Sequence, residues 1–229
     1  MHIGIVLYDD VEPIEVGIMG TLSMARRLAP ELSYHTVSQS GGLVRLRNGL
    51  VLETEYSFEQ APPAQVTMIT GGPGWQAQAR NTALLDFLRD RHERGEVLAS
   101  VCTGAMLLAR AGLLQGRRAT TKAVYAAPEA PPLATLADLE PRCAVQHALL
   151  VDEGDIITGG GVSLCVDLTL YLLERFVGAE LAARTAHIME YDAARAANRA
   201  RLPQIIRRIA AGTNEPPSLQ DAAGKVWPA

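Results

Sequence analysis

The stretch EVLASVCTGAMLLARAGLL, residues 96–114, decides the fold class, because a strand-like run leads directly into a helix-like run at Cys102. The mostly apolar residues 97–101 favour a short buried strand, and residues 105–114 favour a buried helix. A sharp turn from strand to helix presents its side chain at the top of a sheet, beside the N–H groups of the helix start. Such a position favours a thiolate and indicates a nucleophile elbow.

The cysteine of this turn has a second interpretation, since free cysteine often behaves as a small hydrophobe inside a core. Its flanking residues Ser100, Thr103 and Gly104 are small, and the last two suit the opening of a helix. The local sequence therefore leaves two alternatives open, an inert core residue and a reactive nucleophile.

The composition of the chain excludes several classes of protein. The 229 residues carry a formal net charge of -4, which argues against a nucleic-acid partner, and no apolar run approaches the ~20 residues of a membrane span. The opening MHIGIVLYDD lacks the features of a signal peptide, which predicts a cytoplasmic protein. Three widely spaced cysteines without a CxxC pair argue against disulfides and structural zinc, and we expect neither metal nor cofactor.

Strand-like and helix-like segments alternate along most of the chain. Continuous apolar runs at 2–8, 32–38 and 65–70 are typical of buried strands, and Asn48-Gly49 and Glu153-Gly154 indicate turns between paired strands. A further short strand is expected at 117–121 and a short helix within the proline-rich segment 127–141. The other helix-like segments are 13–29, 81–95, 162–178 and 179–191.

This alternation predicts an α/β fold with a mostly parallel sheet and helices on both faces. We expect one domain over residues 1–195, followed by a helical extension and tail over 196–229. Ligand sites on such sheets lie at the carboxyl ends of the strands. If the three strands concerned are neighbours, residues 9–15, Gly71-Gly72 and Cys102 converge there.

An acidic side chain is expected beside the thiol. Glu15 has apolar neighbours on both sides, so it is the best candidate for a buried carboxyl, whose pKa burial would raise. Asp9, Asp10 and Glu12 remain alternatives, and a solvated carboxylate at a helix start is an ordinary feature.

Other features near the predicted site are less specific. Gly71-Gly72 offers backbone N–H groups for an oxyanion hole or simply a tight turn, and TGGG at 158–161 lacks the pattern of a phosphate loop. No histidine follows the elbow closely, so a Glu–Cys pair is favoured over a Cys–His pair. The five histidines are His2, His35, His92, His147 and His187.

Four segments, taken in order, resemble the DJ-1/PfpI superfamily with its class I glutamine-amidotransferase-like fold. They are IGIVLYDDVEPIEVGIMG, MITGGPG, SVCTGAMLLARAGLLQGRRATT and IITGGGVSLCVDLTLYLLE, within about residues 1–190. Inside the superfamily the chain is similar to isocyanide hydratases and to the sensor domains of AraC-type regulators, although no DNA-binding half is expected here. The resemblance implies a flavodoxin-like sandwich and a homodimer.

The resemblance also implies roles for single residues. They are Cys102 as nucleophile, Glu15 as its acidic neighbour, Gly72 and Thr103 as backbone donors to an anion, and Lys122 and Asp167 as further site residues. Many relatives carry histidine where this chain has Lys122. Since a lysine is a poor substitute for a neutral imidazole base, a Cys–His protease or amidase mechanism is in doubt.

These observations predict a small-molecule cysteine enzyme most like an isocyanide hydratase, a lyase, with an amidase-like hydrolase as a related reaction. Cys102 thiolate attacks an electrophilic carbon, Glu15 delivers a proton, and water releases an amide-type product. The alternative is a non-catalytic ligand or oxidative-stress sensor of the same fold. The expected partners are a small molecule and a second copy of the chain, without nucleic acid or membrane.

Overall fold

The computed structural model describes residues 1–207, which form eleven strands and eight α-helices. The strands are β1 (His2–Val6), β2 (Ser33–Ser38), β3 (Ser40–Arg45), β4 (Val51–Ser57), β5 (Val66–Ile69), β6 (Val97–Ser100), β7 (Arg118–Ala119), β8 (Ala144–Val145), β9 (Leu150–Asp152), β10 (Ile156–Gly159) and β11 (Gln204–Ile206). The helices are α1 (Gly17–Ala25), α2 (Trp75–Gln78), α3 (Thr82–Glu93), α4 (Gly104–Arg110), α5 (Pro132–Leu139), α6 (Cys165–Phe176), α7 (Ala179–Ile188) and α8 (Asp192–Arg201).

Nine of these strands form one sheet in the order β11-β9-β10-β6-β5-β1-β2-β4-β3. The pairs from β10 through β6, β5, β1 and β2 to β4 are parallel, and the β3–β4 and β9–β10 pairs are antiparallel. Two groups of helices cover the sheet: α1, α6 and α7 pack together, and α4 contacts α2, α3 and α5. The predicted α/β class with a mostly parallel sheet is confirmed.

The central strands are apolar because both faces of the sheet are covered. All four residues of β5 are buried, and so are the last three of β6. The strands β6, β5 and β1 are neighbours, which was the condition for the three predicted site segments to lie close together. Their carboxyl ends therefore bring residues 9–15, Gly71-Gly72 and Cys102 to one edge of the sheet.

Several predicted elements differ in detail from those observed. The helix expected at 13–29 consists of a 3₁₀ turn (Pro13–Val16) followed by α1, with Pro13 in the first turn as predicted. The strand expected at 117–121 shortens to β7 and pairs with β8 in a separate two-stranded sheet. Both antiparallel pairs form around the expected turns at Asn48-Gly49 and Glu153-Gly154.

The end of the described chain adds an edge to the sheet. Helix α8 spans the predicted domain boundary at 195/196, and β11 pairs in parallel with β9, so residues 204–206 belong to the main sheet. The expected tail over 208–229 lies outside the described residues. No helix within residues 1–207 is both long and apolar enough to cross a membrane.

Candidate active site

Cys102 occupies a strained turn between β6 and α4. Its φ is 51°, a left-handed value that is uncommon for a residue with a side chain. Two hydrogen bonds hold this turn, since its N–H donates to the Gly160 carbonyl at 3.2 Å and its carbonyl accepts from Thr121 Oγ1 at 2.6 Å. The surrounding fold therefore maintains the strain of the predicted elbow.

Glycines let the backbone approach the thiol closely. A Cβ built on Gly161 would lie 2.8 Å from Cys102 Sγ, and one on Gly71 would lie 2.6 Å from the Thr103 nitrogen. Real Cβ atoms do not tolerate such distances, so both positions require glycine. The glycine run at 159–161, which is no phosphate loop, thus forms one wall of the thiol site.

Glu15 is the buried carboxyl group of its segment, with 1% of its surface exposed. Its Oε2 accepts a hydrogen bond from the Gly71 N–H at 2.5 Å, while the buried Oε1 has no partner among the described residues. Burial raises the pKa of Glu15 to about 8, so the carboxyl is protonated near neutral pH. By contrast, Asp9 accepts from the Arg45 N–H, and Asp9 and Asp10 are exposed.

The thiol and this carboxyl lie close enough for each to shift the pKa of the other. Burial, followed by the Glu15 charge, raises the pKa of Cys102 well above its usual range, whereas the Thr103 N–H and the Lys122 charge act in the opposite direction. The N–H at the helix start lowers the pKa of the thiol, as expected, but burial and the neighbouring carboxylate outweigh this effect.

Two ionisable groups in contact lose their protons in two steps that belong to the pair. The first proton leaves one negative charge shared between sulfur and carboxylate, and that charge opposes loss of the second. A thiolate hydrogen-bonded by a protonated Glu15 has the same total charge as a thiol beside a carboxylate. Formation of the thiolate therefore requires only the first of the two deprotonations.

The two predicted backbone donors are both at the elbow, but they differ in availability. The Gly72 N–H donates to Thr103 Oγ1 at 2.8 Å, so it is not free in this structure. The Thr103 N–H is directed at Cys102, where it lowers the pKa of the thiol. The Gly72 N–H can donate a hydrogen bond to an anion only if the Thr103 hydroxyl rotates away from it.

Lys122 lies near the pair, and its charge lowers the pKa of both Glu15 and Cys102. Asp167 is buried, and its Oδ2 accepts from the Tyr191 hydroxyl and from Asn198 Nδ2, each at 2.8 Å. It is not among the groups that shift the pKa of Cys102 or Glu15. Asp167 therefore has no role in the chemistry proposed for the thiol.

No histidine within residues 1–207 is among the groups that shift the pKa of Cys102. Their hydrogen bonds join them to other groups: His2 to His35, His92 to Asp155, and His187 to Asp192. The preference for a Glu–Cys pair over a Cys–His pair agrees with this arrangement.

Three residues of the site were not predicted from the sequence. Tyr8 is buried beside the pair, and its hydroxyl donates to the Thr70 carbonyl at 2.7 Å. Thr121 holds the elbow carbonyl, and Glu129 forms an ion pair with Lys122. Strand-end positions could have drawn attention to Tyr8 and Thr121, but no signal in the sequence links residues 122 and 129.

A small cavity of about 140 Å³ adjoins the elbow. Thr103 and Met106 of the elbow and α4 form one side, and Trp75, Glu129 and Pro132 are among the residues of the other sides. Its walls are mixed, with apolar surfaces and a few polar groups, as in small-molecule sites. Within residues 1–207 no cluster of three His, Cys, Asp or Glu side chains is arranged to hold a metal ion.

We expect Cys102 to be the fastest-reacting of the three thiols. Burial raises the pKa of Cys143 to about 11 and of Cys165 to about 12, and neither occupies a strained turn with positive φ as Cys102 does. Brief alkylation at about pH 7, followed by peptide mass spectrometry, measures the three rates. Cys143 is the most exposed, at 8%, and faster labelling there would contradict this expectation.

The burial of Glu15 also predicts a pH dependence of stability. Its pKa is about 8 in the folded protein against an ordinary 4.5, so between these values the native state binds more protons than the unfolded state. The free energy of unfolding of the wild type therefore falls as pH rises through this window. Glu15→Gln lacks the effect, so its stability relative to wild type should rise by about 4 kcal/mol between about pH 5 and about pH 8.

Urea unfolding at both pH values measures this difference. Asp10→Asn is the matched control, because Asp10 is exposed near the same segment and is not among the main causes of the Glu15 pKa shift. A constant difference between Glu15→Gln and wild type would mean that the carboxyl is not held protonated by burial.

The sequence of this chain is similar to those of a known protein family and of several characterised proteins. The DJ-1/PfpI family model matches residues 1–175. The chain is 31% identical over 191 residues to the isonitrile hydratase of Pseudomonas putida, covering 83% of this chain and 78% of that protein. It is also 27% identical to the HTH-type transcriptional regulator GbdR of Pseudomonas aeruginosa, covering 96% of this chain but 63% of the regulator.

Solved structures show the same fold. A ThiJ/PfpI family protein from Pseudomonas syringae superposes with a TM-score of 0.73 at 24% identity, covering 83% of this chain and 75% of that one. An AraC family transcriptional regulator from Pseudomonas putida gives 0.70 at 23% identity, covering 82% of this chain and 98% of that one. Because the family model matches well over half of its residues, the chain belongs to the DJ-1/PfpI family.

Proposed function

We propose that the protein is a cysteine-dependent hydratase that adds water to small isocyanides. The observation that carries the proposal is the buried Glu15 carboxyl, with a pKa near 8, beside a thiol on a strained turn. An acid with this pKa gives and accepts protons near neutral pH, as general acid–base catalysis requires. The identity of 31% to an isonitrile hydratase supports the choice of substrate.

The proposed reaction begins with the Cys102 thiolate and a protonated Glu15. The sulfur attacks the terminal carbon of the isocyanide, and that carbon takes the proton of Glu15, which gives a thioimidate and a carboxylate. The product of this step is covalently bound, so the nitrogen substituent stays in the site while water enters.

Water then adds to the same carbon. The Glu15 carboxylate accepts a proton from the water and passes it to the nitrogen, and the resulting adduct carries a hydroxyl and a sulfur on one carbon. When the carbon–sulfur bond breaks, the hydroxyl proton returns to Glu15 and an N-substituted formamide leaves. The thiolate and the protonated acid are thereby restored, and the net reaction consumes one water.

Two backbone groups and the cavity support this chemistry. The Thr103 N–H already interacts with the sulfur, so it can stabilise negative charge there before the attack. Negative charge that develops on the substrate lies next to the Lys122 ammonium. The cavity of about 140 Å³ accommodates a small, mostly apolar nitrogen substituent against Trp75 and Met106.

The second candidate is a ligand or oxidative-stress sensor without turnover. It is favoured by the matches to two regulators of Pseudomonas aeruginosa, of which the chain covers 63% and 49% of the length, and by a thiol that is only 2% exposed. The net charge of -4 supports a small-molecule role for this chain rather than contact with nucleic acid, and we propose a cytoplasmic location.

We also propose a homodimer, in which a second copy covers the surface beside Glu15. Ile14 is 54% exposed next to that buried acid, and Ile188 is 37% exposed at an open groove shared with Met24 and Val166. Sedimentation at micromolar concentration measures the mass, and a species of 24.6 kDa would contradict the dimer.

The deciding experiment compares small isocyanides, amides and reactive aldehydes as substrates of the purified protein. Loss of the isocyanide and appearance of one formamide per molecule consumed, over many turnovers, is expected. Binding of the same compounds with no product, or at most one product per thiol, would overturn the hydratase and favour the sensor.

A further inference from the structure

Lys122 is held beside the elbow by its backbone as well as by its charge. A Cβ built on Gly161 would lie 2.8 Å from Cys102 Sγ and 2.9 Å from Lys122 Cβ, so both atoms border the same small space. The preceding residue, Thr121, donates its hydroxyl to the Cys102 carbonyl at 2.6 Å. These contacts therefore attach residues 121–122 to the elbow and keep the backbone of the lysine near the sulfur.

The ammonium of this lysine has a counter-ion. Lys122 Nζ donates to Glu129 Oε2 at 2.5 Å, and the two side chains are only 20% and 34% exposed. Glu129 also lines the cavity next to Thr103 and Met106. The ion pair thus joins a residue beside the thiol to a residue of the cavity wall, and it spans the mostly exposed loop between its two members.

We propose that Lys122 is a positioning residue whose charge favours the anionic state of the Glu15–Cys102 pair, and that Glu129 sets how much of this charge the sulfur experiences. The inference rests on the proposed function only in taking Cys102 as the reactive thiol. In this arrangement the Glu129 carboxylate partly neutralises the Lys122 charge, because a paired ammonium exerts a weaker electrostatic field at the sulfur than an unpaired one.

The other ionisable groups around the pair act differently. The Glu12 charge raises the pKa of Glu15, and Tyr8 and Cys165 stay protonated because burial raises the pKa of each. Lys122 is the cation among the groups that shift the pKa of either member of the pair. Its removal is therefore not compensated by another positive charge at this site within the described chain.

A purely mechanical role for the ion pair predicts a different pattern. If the pair only closed the loop, Lys122→Met and Glu129→Gln would both open it and change the access of reagents in the same direction. If the pair tunes charge, the two variants shift the pH midpoint of thiol reactivity in opposite directions, since one removes the cation and the other unmasks it.

The experiment measures alkylation of Cys102 by iodoacetamide in the full chain between about pH 6 and about pH 9.5, with peptide mass spectrometry to separate the three thiols. Iodoacetamide is uncharged, so its own attraction to the lysine does not enter. Lys122→Met should raise the midpoint by about 0.5 to 1 pH unit, Lys122→Arg should restore it, and Glu129→Gln should lower it by a smaller amount.

Equal midpoints in wild type, Lys122→Met and Glu129→Gln would overturn the proposal, and so would shifts of the same sign. Thermal unfolding of each variant checks that it is folded, and if Lys122→Met is not, the downward shift of Glu129→Gln decides alone. Because alkylation needs no turnover, the result is independent of whether isocyanides are the substrates.

Discussion

Cys102→Ser should lower the rate of isocyanide hydration by at least about 10⁴-fold, the scale of losing a covalent nucleophile. Serine is nearly isosteric, so the turn at φ 51° and the hydrogen bonds of its backbone should remain. A hydroxyl, however, holds its proton far more tightly than a thiol, and a neutral carboxylic acid such as Glu15 cannot remove it. Initial rates of formamide production, measured at several substrate concentrations, give the loss.

The matched control is Cys143→Ser. Cys143 is a buried thiol at the start of β8, 8% exposed, where Glu140 and Glu153 add to the effect of burial on its pKa. Its replacement should leave the rate within about twofold of wild type, since neither Cys102 nor Glu15 is among the groups that shift its pKa. Comparable activity of wild type and Cys102→Ser would remove the cysteine from the mechanism and with it the proposed hydratase.

Substitution of Glu15 should produce the second largest effect, a loss of about 10² to 10⁴ in rate for both Glu15→Gln and Glu15→Leu. Glutamine keeps a hydrogen-bond donor of similar size but cannot transfer a proton. Leucine removes the donor as well, so the thiolate must form alone in a buried site. The pH midpoint of Cys102 alkylation should therefore rise in Glu15→Leu and rise less in Glu15→Gln.

The sign of that shift locates the shared proton. A lower midpoint in Glu15→Leu would mean that the carboxylate carries the negative charge and the sulfur the proton, the reverse of the proposed starting state. Asp10→Asn serves as the control, because Asp10 is exposed near the same segment and is not among the main causes of the pKa shifts of Glu15 and Cys102, so its replacement should change the midpoint little. Ultraviolet absorbance of the thiolate gives an independent measure of the same titration.

Much of the fold could be predicted from the linear order of residues, because its signals are local. Continuous apolar runs mark β1, β5 and β6, since parallel strands covered on both faces need apolar side chains throughout. The turn residues Asn48-Gly49 and Glu153-Gly154 were sufficient to predict both antiparallel pairs. The ends of the sheet were harder, because β11 is only three residues long and β7 two, too short for a periodic pattern.

The candidate site was predictable in part for the same reason. Cys102 stands out because a strand and a helix meet there, and Glu15 stands out because its neighbours along the chain are apolar. The sequence could not tell, however, that Oε1 of Glu15 has no hydrogen-bond partner within residues 1–207 or that the Gly72 N–H is occupied by the Thr103 hydroxyl. Asp167 matched the pattern of the family, yet its hydrogen bonds join it to residues near α8.

The sequence by itself determined the alternation of strands and helices and the turn from strand to helix at Cys102, and it made Glu15 the best candidate for a buried acid, since each depends on residues adjacent along the chain. Only the tertiary structure decided the direction in which the pKa of each member of the pair is shifted, because burial and opposing charges come from segments far apart in sequence. It also decided that Lys122 is paired with Glu129 and that glycines 71 and 161 surround the thiol. Electrostatic energies and close contacts depend on distances in space, which a one-dimensional pattern does not contain.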